Sequence, residues 1–464
     1  MKDVTVRINN ITIHNIKNVN NGSVFLNQTN DDYFGASIVG LYGQNGSGKT
    51  ALVWAAELIK DALSGVKLPE DTFFYIRQQS DSAMIRAELL LTVNEREYNV
   101  LYTISIGKKD NNNVQITSEY VDFWAKAHDN HERINKTRIL GIEYPLNSSD
   151  FDKCFYIPES RIIEMSGANK QIRQKLLVLQ ALANEKNTSF IFNDKIMDVL
   201  QSAFENPIYF KILDVLRFYG RMNMFVLNRN SDTSFNMNLL PLSMRFCSED
   251  LIQKSDRIPV GLGKNKSNMD TFRTIENIIS QIDILVKNII PGLNVEIVSI
   301  DKELNEKAEQ EIIFELVSNR NGTITPLRYE SEGIKKILCI LSSLIAMFNN
   351  KSIFVAIDEM DAGIFEYLLG EILDAIKKNG KGQLLFTSHN MRPLEVLESS
   401  NIYFTTTNPE NKYIKFTGIK ANNNLRTTLL RTIDLGGQKE SIYENTSTYQ
   451  IAKAFRKAGV LVNE

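Results

Sequence analysis

Gly43-Gln44-Asn45-Gly46-Ser47-Gly48-Lys49-Thr50 decides how this 464-residue chain is read. The stretch fits G-x-x-x-x-G-K-[ST], a phosphate-binding loop. An apolar run over residues 36–42 precedes it, and residues 51–59 continue in a helical pattern. Strand, glycine-rich turn and helix are the setting such a loop needs. Its glycines let successive backbone N–H groups turn inward around an anion. The positive end of the following helix adds to that field. Gly43, Asn45, Gly46, Ser47 and Gly48 are the expected cradle. Lys49 is expected to reach the β- and γ-phosphates of a nucleoside triphosphate, and the Thr50 hydroxyl to ligate Mg²⁺. The bland alternative is a structural glycine turn.

The length allows a large core and more than one domain or subdomain. Net charge is −2, so bulk charge does not announce a nucleic-acid binder, although a local basic face stays open. Cys154, Cys247 and Cys339 are far apart and lack metal-ligand spacing. A reducing compartment, the cytoplasm, is the simple expectation. His14, His128, His131 and His389 form no zinc pattern. The N-terminus has no apolar signal core, and the longest apolar stretch, residues 337–348, is too short for a bilayer. No membrane span is expected.

Alternation predicts strands at residues 11–16, 22–26, 84–91 and 98–104, with a further one at 153–157. Helical spacing dominates from about 168 to 290, through Ile172, Leu176 and Leu179, then Ile196 and Leu200, then Ile275, Ile279 and Ile282. Segments 225–246 and 255–268 read as irregular and polar. No heptad run suggests a coiled-coil arm. Strands return at 295–300 and 311–317.

Ser352-Ile353-Phe354-Val355-Ala356-Ile357-Asp358-Glu359 reads as a buried parallel strand with acids at its C-terminal edge. Asp358 is the second expected Mg²⁺ site residue. Glu359 is expected to orient or deprotonate an attacking water. A second buried strand, Gln383-Leu384-Leu385-Phe386-Thr387-Ser388, ends at His389, 30 positions after Glu359 (389 − 359). One intervening helix makes a βαβ unit, which predicts His389 beside Glu359. Ser331-Glu332-Gly333 opens an amphipathic helix. Taken alone, Ser331 is an ordinary cap.

Together these motifs resemble the ABC-type ATPase head. Gly43 to Thr50 stands as its Walker A loop and Ser331-Glu332-Gly333 as its signature. Asp358-Glu359 stands as Walker B and His389 as the switch histidine. The resemblance is good over residues 3–65 and 325–400. It implies an α/β fold: a P-loop ABC-type ATPase head with a β-lobe and an inserted helical subdomain. It also implies that two heads meet head to tail, so that Ser331 and Gly333 of one copy close over the γ-phosphate held by the other. The signature is Ser-Glu-Gly rather than Ser-Gly-Gly, and Met360-Asp361-Ala362-Gly363 follows the acids. Both traits resemble the RecF, SMC and OLD-like group, including stand-alone antiviral-defence ATPases such as the Septu and PARIS ones. Tyr156-Ile157-Pro158-Glu159-Ser160-Arg161 stands near the expected glutamine loop, with no assigned ligand.

The expected division is 1–150 (Walker A and β-lobe), 151–290 (mainly helical insertion), 291–405 (signature, Walker B and switch histidine) and 406–464 (tail). About 75 residues follow His389, without the length or the Asp-x-Asp motif of a Toprim nuclease domain. The resemblance therefore suggests an ATP- and Mg²⁺-dependent sensor or regulator in bacterial antiphage defence. It would act as a homodimer or higher oligomer with a separate effector, such as a nuclease. Two alternatives stay open: a RecF-like repair ATPase that binds DNA, and a nucleotide-stabilised scaffold with little turnover. The basic pieces at 422–431 and 454–458 read as solvated helix faces before they read as nucleic-acid or partner docking.

Overall fold

The computed structural model describes residues 4–27, 35–109, 113–127, 132–144, 155–156, 168–204, 206–228, 239–245, 255–304, 310–417, 424–444 and 446–460. In chain order the strands begin β1 (Val4–Ile16), β2 (Val19–Phe25) and β3 (Ser37–Tyr42). Next come β4 (Ser82–Val93), β5 (Arg96–Lys109), β6 (Asn113–Ala125), β7 (Ile134–Glu143) and β8 (Phe155–Tyr156). Then follow β9 (Met224–Leu227), β10 (Leu239–Arg245), β11 (Ser255–Gly261) and β12 (Lys264–Asn268). After them are β13 (Leu293–Leu304), β14 (Gln310–Arg320) and β15 (Thr323–Pro326). The last are β16 (Phe354–Ile357), β17 (Gln383–Thr387), β18 (Ile402–Thr405) and β19 (Tyr413–Ile414).

The central sheet runs β19-β18-β3-β17-β16-β9, parallel except at β19. β3, β16 and β17 are buried at every position, as a sheet covered on both faces requires. Side chains alternate between two cores. Val39, Leu41, Phe354, Ala356 and Leu385 face one, with helix α1 (Lys49–Ser64) and the β-lobe. Ile38, Tyr42, Val355, Ile357, Leu384 and Phe386 face the other. There they meet the later helices of the chain. The helices in between are α2 (Ala168–Lys186), α3 (Asp194–Ala203) and α4 (Pro207–Met222). Those on the second face are α5 (Met269–Ile289), α6 (Glu332–Asn349) and α7 (Glu366–Asn379). The tail carries α8 (Leu425–Leu435) and α9 (Thr448–Val460). None of the described helices is long and apolar enough to cross a membrane.

The β-lobe is one antiparallel sheet, β2-β1-β4-β5-β6-β7-β8. Its β4–β5 hairpin turns on Asn94 (φ 49°) and Glu95 (φ 64°), the left-handed pair a tight two-residue turn needs. β1 ties the lobe to the central sheet. Buried Arg7 donates to Ser37 Oγ at 2.7 Å and to Lys381 O at 2.9 Å. The Gln383 side chain accepts from Ile8 N and donates to Ile8 O, both at 2.8 Å, in place of a neighbouring strand.

The expected strands at 11–16, 84–91 and 98–104 lie inside β1, β4 and β5, and that at 22–26 overlaps β2, which ends one residue earlier at Phe25. Of the expected strand at 153–157, only β8 lies among the described residues. Two segments differ from expectation. Residues 224–227, the last three of them in a stretch read as irregular, form β9, a fully buried strand of the central sheet that pairs in parallel with β16. The span 151–290 therefore contains a core strand as well as helices, and α4 packs against α1. Four apolar residues between polar neighbours carry no period of their own, so the sheet decides this strand. Residues 255–261 and 264–268, also read as irregular, form β11 and β12.

Candidate functional site

Every strand end that matters here points to one side. The loop 43–48 leaves β3, the acid pair leaves β16, His389 leaves β17 and Thr405 closes β18. In open α/β sheets this carboxyl edge is where ligands bind. A cavity of about 810 Å³ lies there, lined by Asn45, Gly46, Ser47, Gly48, Lys49, Thr50, Asp358, Glu359, Thr387 and His389. Trp54, Tyr75, Lys17, Asn18 and Asn228 complete its wall.

The loop shape depends on glycine at two points. A Cβ on Gly43 would stand 1.7 Å from Thr405 Oγ1. Gly48 caps α1 at φ 105°, a left-handed value that L side chains rarely adopt. Lys49 is buried, and its amine donates to Gly43 O at 2.8 Å and Gln44 O at 3.1 Å, folding back over the loop.

Thr50 Oγ1 donates to Asp358 Oδ1 at 3.3 Å, and Thr387 Oγ1 donates to the same oxygen at 2.7 Å. Asp358 Oδ2 is buried and has no hydrogen-bond partner among the described residues. A buried acceptor left open beside a hydroxyl suits a hard cation, and Mg²⁺ takes few protein oxygens, completing its shell with water and phosphate. The residues present fit that ion. Glu359 follows at φ 49°, a strained backbone for a non-glycine residue. Its N–H donates to Thr387 Oγ1 at 2.7 Å, and its carbonyl accepts from Lys336 Nζ at 2.7 Å. Thr387 thus holds both acids from the neighbouring strand. The sequence reading passed it over as a strand residue; a hydroxyl two positions before the histidine was the available signal.

His389 is exposed and shares the cavity with Glu359, where the βαβ reading expects it. Asp361 fixes its loop by accepting from His389 N at 3.1 Å and Asn390 N at 3.0 Å.

Ser331 and Gly333 are not part of this cavity. Ser331 is exposed and caps α6, accepting from Ile334 N at 3.4 Å. Gly333 lies against Gly363: a Cβ on Gly333 would stand 2.2 Å from Gly363 O. One chain therefore brings the loop, the acids and His389 together and leaves the serine–glycine pair outside the cavity. Of the segment 156–161, all but Tyr156 lies outside the described residues, as do His128, His131, Cys154 and Cys247. Cys339 is buried in α6.

A family profile described as "AAA domain, putative AbiEii toxin, Type IV TA system" matches residues 264–395, the part that carries Ser331, Gly333, Asp358, Glu359 and His389. No curated protein matches the sequence. Among solved structures, an Smc head domain with an extended coiled coil from Pyrococcus furiosus, bound to the C-terminal domain of ScpA, is similar at 12% identity and a TM-score of 0.39. That match covers 93% of this chain and 100% of the other. The recombination mediator protein RecF with ATPrS is similar at 12% identity and a TM-score of 0.38, covering 89% and 99%. An SMC head domain from Thermotoga maritima is similar at 12% identity and a TM-score of 0.31, covering 88% and 99%. At such scores the overlays add nothing to the strand order. That order, with the phosphate loop between β3 and α1, gives an α/β fold: a mainly parallel central sheet beside an antiparallel β-lobe.

Proposed function

We propose that this chain binds ATP with Mg²⁺ at the carboxyl edge of the central sheet and hydrolyses it. The observation that carries this reading is Asp358: buried, bonded to Thr50 through one oxygen and open at the other, in the same cavity as Lys49, Glu359 and His389. The backbone N–H groups of 43–50 and the Lys49 amine hold the phosphates. Thr50 and Asp358 hold the metal, which when bound neutralises phosphate charge. Glu359 accepts a proton from the water that attacks the γ-phosphorus as the bond to the bridging oxygen breaks and ADP leaves. His389 hydrogen-bonds the γ-phosphate side of the site.

Ser331 and Gly333 complete the reaction from a second copy. The exposure of Ser331 at a helix N-terminus and the absence of both residues from the cavity support that reading. The head pair would act as the sensor or regulator of a separate effector, a nuclease, in bacterial antiphage defence. The matched family's description, which names a toxin–antitoxin system, supports a two-component arrangement.

Solution mass with and without ATP-Mg²⁺, for wild type and Glu359→Gln, tests the shared site. A mass that at least doubles, most stably in Glu359→Gln, is the expected result. A monomer under every condition with ATP bound overturns the shared site. Turnover that is negligible in wild type and unchanged by Glu359→Gln overturns the enzyme reading.

A further inference from the structure

Lys412, between β18 and β19, is 5% exposed. Among the described residues it forms no salt bridge; Glu444 is the acid whose field reaches it. Burial pulls its amine below the ordinary lysine range, Glu444 opposes that shift, and nearby Arg77 adds to it. Lys412, Arg77 and Lys17 line a second cavity of about 460 Å³, which shares Asn18, Asn45, Gly46 and Ser47 with the first. Asn18 Nδ2 donates to Gly46 O, forming the bridge between the two spaces.

The end of β18 and the chain after it are built onto the phosphate loop. Thr405 Oγ1 lies 2.6 Å from Ser47 Oγ, and the Tyr413 hydroxyl donates to Gly48 O at 2.7 Å. Glu444 N donates to Gln44 Oε1 at 3.1 Å. The Lys412 chain passes so close that its Cε would be 3.2 Å from a Cβ on Gly48. Among the described residues Glu444 is the one acid lining that cavity, against the three cations Lys17, Arg77 and Lys412, and such an excess of positive charge around a largely buried amine favours an entering anion. The neighbouring loop is itself a cradle for one.

We infer that Lys412, with Arg77, forms an anion subsite for the phosphate chain of the nucleotide held by the loop, so that the tail closes on the nucleotide. This rests on the ATP reading above. The nucleotide then joins the tail, which carries α8 and α9, to the head, and its departure loosens that joint.

The test is titration of the full chain with a fluorescent ATP analogue and with inorganic tripolyphosphate as competitor. It compares wild type, Lys412→Met, Lys412→Arg and Lys49→Ala. Lys412→Met is expected to weaken both ligands about tenfold, the scale of one charge-assisted contact, and Lys412→Arg to restore most of the affinity. The melting temperature of nucleotide-free Lys412→Met should be at or above that of wild type, because a largely buried charge is removed. Unchanged affinity in Lys412→Met overturns the inference. So does unchanged ATP affinity with loss of single-stranded oligonucleotide binding, which would make a nucleic-acid phosphate the occupant. A wild type that binds no ATP, like Lys49→Ala, sinks the ATP reading itself and is distinguishable from both.

Discussion

In the β-lobe, Glu119 of β6 has no exposed surface, and both its oxygens are occupied. Oε1 accepts from Tyr102 at 2.8 Å and Ser189 at 2.6 Å; Oε2 accepts from Phe190 N at 2.9 Å and Ile191 N at 3.3 Å. At the edge of the central sheet Asp358 is 5% exposed, and only one of its oxygens is used. Both are buried acids, yet Glu119 ties β6 to the segment before α3, while one oxygen of Asp358 has no hydrogen-bond partner among the described residues. Burial alone does not mark a functional acid. An acceptor left open where the surrounding shape suits a ligand does.

The largest expected effect falls on Glu119. Glu119→Ala leaves four donors without an acceptor and should lower stability by about 4 kcal/mol in urea unfolding. ATP affinity per folded molecule should stay at the wild-type value. A small stability change would remove the contrast between the two acids.

Asp358→Asn should do the opposite. It should cost about 100-fold in Mg²⁺-dependent ATP affinity or turnover while moving urea stability by less than ~1 kcal/mol. Equal losses of stability for both acids would make Asp358 a structural knot like Glu119.

A pH series sharpens the same contrast. Burial raises the Glu119 carboxyl above its ordinary value, outweighing the bonds that pull it down. The folded state then keeps its proton over a window where the unfolded state has lost it. The contribution of Glu119 is complete below the unfolded value and falls as pH rises through the folded one. Wild type should therefore lose stability relative to Glu119→Gln as pH rises above the usual carboxylate range. A constant difference would mean that Glu119 is ionised at no cost.

The smallest effect is expected at Ser331. Ser331→Ala should cost about 1 kcal/mol as a lost helix cap. ATP binding by the isolated chain should not change, whereas turnover at concentrations that favour pairing should drop. Unchanged turnover would leave the serine as a cap alone.

The candidate site was largely legible in the sequence because its residues sit in short local motifs. The phosphate loop, the acid pair after an apolar run and the histidine after the next run each need only neighbours in the chain. β6 and β7 were not read because the period breaks: the pairing shifts between Val121 and Asp122 and between Phe123 and Ala125, so alternation slips phase. β9 was missed because four residues are too few to show a period. Thr387 and Lys412 were missed because their roles lie in contacts across the sheet and with the loop.

The sequence by itself determined the glycine loop, the chemistry at the strand ends and the helix cap at Ser331. These follow from backbone conformation and side-chain type over a few residues. Only the tertiary structure decided that β9 completes the central sheet and that Thr387 holds both acids. It alone leaves Ser331 and Gly333 outside the cavity and buries Lys412 against the loop. Those outcomes depend on which distant segments share a core, and nearest-neighbour chemistry does not fix that.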